Sequence, residues 1–357
     1  MPCCRLRLVA AFTAAAVLAT ADAAPAQPIA TAPPPTKFLR IGTGAANGTY
    51  FMIGGLIANA VSAPPGSRTC AAGGSCGVPN LIAAAQSSAG SATNLRALHE
   101  GMMESALAQG DLVYFAFNGT ENFHNTTPLR ELRVIADLYP ETVHIVVRRD
   151  SAIQSIKDLR RRTIALGESG SGSAVTARMI LAAHGINKGH FQQQLMRPGE
   201  AADALAANKL DAFFLVGGYP MPIVDDLARR VPVRLLNLEP EAAARLTARY
   251  PVFTPTDIPA NTYHGQPRTH TVQLPVQWVV SADADGEMVY GLTRALWHPT
   301  TRKLFLQGHP QGRRILRDQA MRTVTSPLHP GAERFYREQG LLPPDPVVVL
   351  PRAGENR

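Results

Sequence analysis

Phe38-Leu39-Arg40-Ile41-Gly42-Thr43-Gly44-Ala45-Ala46-Asn47-Gly48-Thr49-Tyr50 reads as a buried strand that runs into a glycine turn and then a helix. Such a junction presents backbone N–H groups to an anion. Upstream, Met1 to Arg7 carries Arg5 and Arg7, Leu8 to Ala19 is small and apolar, and Ala21-Asp22-Ala23 fits a small-x-small cleavage site. That pattern predicts a signal peptide over 1–23, too short to span a membrane, and a soluble secreted or periplasmic product. Cys3 and Cys4 precede the apolar stretch, so they do not sit where a bacterial lipoprotein is acylated. Residues 24–37, with Pro25, Pro28 and Pro33-Pro34-Pro35, read as an extended tether, and folding is expected to start near Lys37.

About 330 residues follow the signal, more than one compact core usually holds, so two lobes are expected. Two Arg and one Asp leave with the signal, which takes the formal charge from +8 to about +7. The basic excess is diffuse except in the C-terminal quarter, where Arg294, Arg302, Lys303, Arg313, Arg314, Arg317, Arg322, Arg334 and Arg337 meet few acids. A solvated face explains it, with docking to an acidic partner or membrane surface as the second reading, and without aromatic interleaving it does not suggest nucleic acid. Cys70 and Cys76 lie in a Gly/Pro-rich segment and are expected to pair as a disulfide in an oxidising compartment, worth about 2 kcal/mol on the chain-entropy account. Two further ligands for zinc are not in view around them.

Strands are predicted at Leu39–Thr43, Leu81–Gln86, Glu104–Ala108, Leu132–Asp137, Val143–Val147, Thr163–Leu166, Phe191–Met196, Asp211–Val216, Val233–Asn237 and Val272–Ser281. Helices fit between most of them, at Tyr50–Val61, Ser91–His99, Ser171–His184, Glu200–Ala207, Met221–Arg230 and Glu239–Tyr250. The alternation predicts an α/β fold of parallel sheets covered by helices, with ligands beyond the carboxyl ends of the strands. The loops at that pole are rich in Gly, Ser, Thr and Asn: 43–49, 86–91, 109–111, 167–173 and 217–219. They let a ligand approach the main chain and offer neutral hydrogen bonds. No Asp or Glu occurs between Ala23 and His99, which favours an anionic group on the ligand near the first helix starts.

Sharper motifs fail. In Gly42-Thr43-Gly44-Ala45-Ala46-Asn47-Gly48 the last glycine falls one residue late for a dinucleotide fingerprint, and no acid follows at the ribose-binding distance. Gly167 to Ser173 lies on a strand–turn–helix, yet the Gly-x-Ser-x-Gly spacing of a hydrolase nucleophile is not met at Ser169 or Ser171. No His pair has helical metal spacing. No cofactor, metal or catalytic residue is therefore expected.

The loops in order resemble those of the TAXI family of extracytoplasmic solute receptors, the binding components of one class of TRAP transporter. The resemblance covers about Phe38 to Leu342. It runs through Ile41-Gly42-Thr43-Gly44 with Gly48-Thr49-Tyr50, Gln86-Ser87-Ser88 with Gly90-Ser91 and Asn94-Leu95-Arg96-Ala97-Leu98, and Leu138-Tyr139-Pro140-Glu141. It continues in Arg149-Asp150-Ser151-Ala152-Ile153 with Lys157-Asp158-Leu159-Arg160, Gly170-Ser171-Gly172-Ser173, Leu210-Asp211-Ala212-Phe213-Phe214, Ile258-Pro259-Ala260-Asn261-Thr262-Tyr263 and Pro327-Leu328-His329-Pro330-Gly331-Ala332-Glu333. The chain departs from the family at Gly110, where Ser is more usual, and in Ala45-Ala46-Asn47.

The resemblance implies a two-lobed binding-protein fold of type II, each lobe a mainly parallel sheet flanked by helices, with one small ligand in the cleft between them. Lobe one is expected at 38–142 and 282–350, lobe two at 143–281, and a tail at 351–357. The implied ligand is a small carboxylate or amino acid of the glutamate, glutamine or 2-oxoglutarate kind, and the implied partners are membrane permease subunits. Main-chain N–H groups around Thr43, Gly44, Asn47, Gly48 and Thr49 are expected to hold a carboxylate. Ser87, Ser88, Asn94 and Gln109 donate from lobe one, and Ser171, Gly172 and Ser173 from lobe two. Tyr50, Tyr139, Gly218 and Tyr219 wall the pocket, and Asp111 either takes a ligand ammonium or caps the helix that follows it. A ligand-sensing partner of a membrane signalling protein and a secreted hydrolase are the alternative readings.

Overall fold

The computed structural model describes residues 35–342. The signal expected at 1–23, most of the 24–37 tether, the end of lobe one and the 351–357 tail lie outside the described residues. Among those described, the strands are β1 (Lys37–Gly42), β2 (Ser62–Ala63), β3 (Val78–Pro79), β4 (Leu81–Gln86), β5 (Ser105–Gln109), β6 (Leu132–Arg148), β7 (Thr163–Ala165), β8 (Gln192–Gln194), β9 (Ala212–Gly217), β10 (Val233–Leu235), β11 (Thr254–Ile258) and β12 (Thr269–Ser281). The helices are α1 (Thr49–Val61), α2 (Ser91–His99), α3 (Gly110–Asn118), α4 (Gly172–Ala183), α5 (Pro198–Ala206), α6 (Pro222–Arg230), α7 (Pro240–Arg249), α8 (Gly286–Leu296), α9 (Pro299–Gly308) and α10 (Pro330–Glu338).

The strands form one mixed α/β sheet in the order β3-β2-β4-β1-β5-β12-β6-β9-β7-β8, with β10 on β6 and β11 on β12. Two parallel blocks, β4-β1-β5 and β9-β7-β8, are the α/β units that the sequence alternation predicts. Between them lie β12 and β6, antiparallel to each other and to the block strand that each meets. The sheet thus passes unbroken from one half of the molecule to the other.

The two strands expected at Leu132–Asp137 and Val143–Val147 are one strand of 17 residues. Pro140 and Glu141 break its apolar pattern, which is why the sequence reads as two pieces. In the sheet Pro140 lies opposite Pro275 of β12, and the register shifts just after that pair. Two residues without N–H groups face one another beside a bulge, the setting in which a sheet tolerates proline.

Helix α1 forms where the sequence places it because Tyr50, Ile53, Ile57, Ala58 and Val61 recur at helical spacing and are all buried. It packs on β4, α8 and α9. The main core runs through both halves of the sheet around Leu107, Phe115, Ile135 and Trp278, and a second cluster lies under α5 and α6 around Leu205, Phe213, Val224 and Leu227. Cys70 and Cys76 are disulfide-bonded in the loop between β2 and β3. The fold brings His298 Nε2 to 3.8 Å from Cys70 Sγ, a neighbour invisible in the local sequence.

Candidate functional site

The first β-strand ends at Gly42 and the chain turns through 43–48 before α1 begins. Gly48 is the extended N-cap residue, it carries no side-chain cap, and the first turn holds no acid. The leading N–H groups of such a helix need an acceptor from elsewhere, and the dipole favours a negative one. Helix α4 begins in the other half of the sheet, again with no acid in its first turn, and Ser171 Oγ accepts from Ala174 N at 3.2 Å.

The two halves meet across these loops. Gly170 O accepts from Ala92 N at 3.1 Å and Thr93 N at 3.2 Å, so the carbonyl before α4 closes the start of α2. Gly170 has φ +82°, and a Cβ there would lie 2.3 Å from Thr93 Oγ1; only glycine fits both the backbone and the space. Asp111 of α3 accepts from Leu112 N at 2.8 Å and from Thr176 Oγ1 of α4 at 3.3 Å.

Behind this seam is a cavity of about 120 Å³, small beside the roughly 300–1,000 Å³ of most ligand clefts. One wall is polar, with Gly44, Gly48, Thr49, Tyr50, Ser91, Gln109 and Glu141, and across from it stand Ser171, Gly172 and Ser173. The other wall is apolar, from Leu215 and Val216 of β9 and Met221, Pro222 and Ile223 at the start of α6. Among the described residues that line it there are two carboxylates, Glu141 and Glu168, and no Lys, Arg or His. Glu168 lies 3.6 Å from the Arg197 guanidinium, which is largely exposed.

Glu141, in the middle of β6, is 3% exposed. Its Oε2 accepts from Tyr50 Oη at 3.1 Å and from Gln109 Nε2 at 3.4 Å. Burial pushes the carboxyl up to about 8; the two hydrogen bonds lower it and the nearby Asp111 charge raises it further. The same burial holds Tyr50 well above the ordinary phenol value and lifts Asp111 to about 7. Gln109 turns its Nε2 toward Glu141 and leaves Oε1 buried without a partner. That oxygen presses on the start of α4, where a Cβ on Gly172 would lie 1.7 Å from it.

The NMT1-like family model matches residues 41–340. The chain belongs to the NMT1-like family. The match does not name the TAXI receptors. Among solved structures, the chain is similar to the alkanesulfonate-binding protein of Xanthomonas axonopodis pv. citri bound to MOPS, at 19% identity, 88% of this chain, 97% of that one and TM-score 0.45. It is also similar to the periplasmic aliphatic sulphonate binding protein of Escherichia coli, at 14% identity, 87% and 95% coverage and TM-score 0.40. A third is a putative L-cystine ABC transporter from Listeria monocytogenes, at 12%, 80% and 100% coverage and TM-score 0.46.

In this NMT1-like chain, Gly44, Asn47, Gly48, Thr49, Tyr50, Gln109, Ser171, Gly172 and Ser173 line the cavity. The other residues expected at the site lie around it. Thr43 is fully buried and bonds Gln86 O. Ser88 bonds Thr43 O and Asn94, and Asn94 donates to Thr43 O and Leu107 O, so this pair fastens the first loop to the second. Ser87 is exposed. Asp111 bridges α3 to α4 as described, Tyr139 is buried on β6 beyond the lining, and Gly218 and Tyr219 pack on Gln311. Sequence reasoning passed over Glu141, Glu168, Ser91 and the apolar wall. Glu141 alone carried a signal, as one of two acids, with Asp137, set among the apolar residues of β6.

Proposed function

We propose that this chain is an exported solute receptor that captures a small carboxylate or amino acid between its two halves and delivers it to the membrane subunits of a TRAP-type transporter. The division into lobes at 38–142 with 282–350 and at 143–281 belongs to the same proposal. One observation carries it: two helix starts without first-turn acids, from opposite halves of the sheet, converge on a small cavity beside hydrogen bonds that join those halves. Ligand contacts on both walls favour the form in which the two halves are together. Membrane subunits that recognise that form then read occupancy. Among the described residues no helix is long and apolar enough to cross a membrane.

The test is a thermal-shift screen of the chain from about Ala24, stripped of retained ligand by unfolding and refolding, against amino acids, dicarboxylates and 2-oxo acids. A ligand at a hundred times its Kd adds about 2.7 kcal/mol and moves the melting point by several degrees. A shift with any of these acids is the expected result. No shift with any of them overturns the receptor reading.

A further inference from the structure

A second cavity lies away from the strand ends, between α4, α7 and Glu121 in the 3₁₀ turn that follows α3. At about 450 Å³ it has the size of an ordinary ligand cleft, roughly 300–1,000 Å³. Met179, Leu246 and Tyr250, all buried, contribute an apolar face, and Arg178, Arg245 and Arg249 line the same space. Among the described residues only Arg249 of the three has a carboxylate partner: its Nη2 donates to Glu121 Oε1 at 3.1 Å, and that oxygen also accepts from Tyr250 Oη at 2.6 Å. Arg245 gives Nε and Nη2 to Ala183 O, at 3.3 and 2.8 Å. Arg178 gives Nη1 to Ala174 O at 3.0 Å and Nε to Gln193 Oε1 at 3.2 Å. These neutral acceptors orient two guanidiniums without offsetting their charge, and among the described residues Arg245 Nη1 and Arg178 Nη2 are left unbonded. Although Arg178 keeps contact with solvent, burial lowers its pKa and no acid raises it.

We infer that this cavity is a second ligand site, which takes a phosphate dianion, free or as the head of a monoester. Three guanidiniums and one carboxylate leave the lining two positive charges in excess, which matches the roughly two negative charges of a phosphate monoester near neutral pH. The three terminal oxygens of that group can each accept from a different arginine, whereas a carboxylate has two oxygens and one charge. The carbon part of an ester then lies on Met179, Leu246 and Tyr250. Nothing in this depends on what fills the cavity at the strand ends, where no Lys, Arg or His is found among the described lining residues. One element serves both places: α4 starts at the first cavity and brings Arg178, Met179, Ala182 and Ala183 to the second.

The experiment is calorimetric titration of the mature protein, from about Ala24, in phosphate-free buffer at physiological ionic strength. The probes are inorganic phosphate, glycerol 3-phosphate and dimethyl phosphate, a monoanion with two free oxygens. Expected is saturable binding of one or both dianions, with affinity roughly tenfold or more weaker for dimethyl phosphate. Arg178→Gln and Arg245→Gln should each cost roughly tenfold. Ala182→Glu, which sets a carboxylate at an exposed position of the same lining, should abolish binding. Arg294→Gln removes the same charge from α8, outside both cavities, and should leave affinity unchanged. A lipid source is distinguished by sedimentation with phosphatidylcholine vesicles, with and without phosphatidate. Retention that needs phosphatidate and both arginines, without binding of the free probes, assigns the phosphate to a headgroup. The inference falls if neither the free dianions nor phosphatidate binds, or if dimethyl phosphate binds as tightly as they do. It falls equally if binding survives Arg178→Gln and Arg245→Gln, or if Arg294→Gln weakens it as much. The receptor reading stands in each of these cases.

Discussion

Helices α1 and α2 start alike in sequence and differ in what meets them. Each has a glycine N-cap without a side-chain cap, Gly48 and Gly90, and no acid in its first turn. At α2 the donors of Ala92 and Thr93 are taken by Gly170 O from the other half of the sheet. At α1 the first turn opens on the cavity. Loop composition tells that a helix start wants an acceptor; only the tertiary neighbour decides whether the acceptor is the chain itself, and so a latch, or a ligand.

The contrast is broken most severely at the cavity. Ser171→Leu puts a branched side chain into the space facing α1, and binding measured by calorimetry should be abolished while circular dichroism stays that of the parent and stability falls only by the about 1 kcal/mol of the lost α4 cap; unchanged affinity refutes the contact from that half. Gly170→Val strikes the latch instead. It combines a positive φ with a 2.3 Å approach to Thr93, so a loss of about 2–3 kcal/mol in denaturant unfolding is expected, with a more open form by small-angle scattering. A variant as stable and compact as the parent would show that the seam holds nothing.

Next in size is the dependence of the empty protein on pH. Glu141 and Asp137 are raised by burial to about 8 and Asp111 to about 7, all above their ordinary values. The folded state then holds more protons than the unfolded one, so stability falls as pH rises from the ordinary carboxyl range, near 4 to 4.5, toward about 8. Glu141→Gln should make that fall shallower in unfolding curves taken at several pH values, and an identical slope would mean that Glu141 is ionised throughout. Smallest is Asn47→Asp, which sets a negative charge at the exposed approach to α1. Affinity for an anionic group should drop several-fold, about 1 kcal/mol, without a change in melting point. If the drop is absent, the α1 start is not where the negative end of the ligand sits.

Much of the fold was legible because buried strands and amphipathic helices alternate at ordinary spacings as far as Tyr250. Beyond β12 the signals change. Helices α9 and α10 open on His298 and His329, whose rings accept from Thr300 N and Gly331 N, and histidine is not among the usual capping residues. Helix α8 opens on Asp285, whose carboxylate accepts from Met288 N at 2.6 Å, so it lay within reach of the sequence. At the site, the glycine and hydroxyl loops could be read locally. The division of labour could not: Ser88 and Asn94 share the composition of ligand-binding residues yet spend their hydrogen bonds on Thr43 and Leu107 O. Glu141 becomes part of a cavity only through Tyr50, 91 positions away, and Gln109, 32 away.

The ends of the sheet carry a consequence of another kind. One border is β3, two residues long, ending in Pro79, which has no N–H, and preceded by the disulfide loop. The other is β8, three exposed glutamines. Neither border presents a run long enough to template a neighbouring molecule's strand, and β11, the five-residue strand paired only to β12, carries Pro255, so among the described residues short borders and proline guard the sheet against pairing with copies.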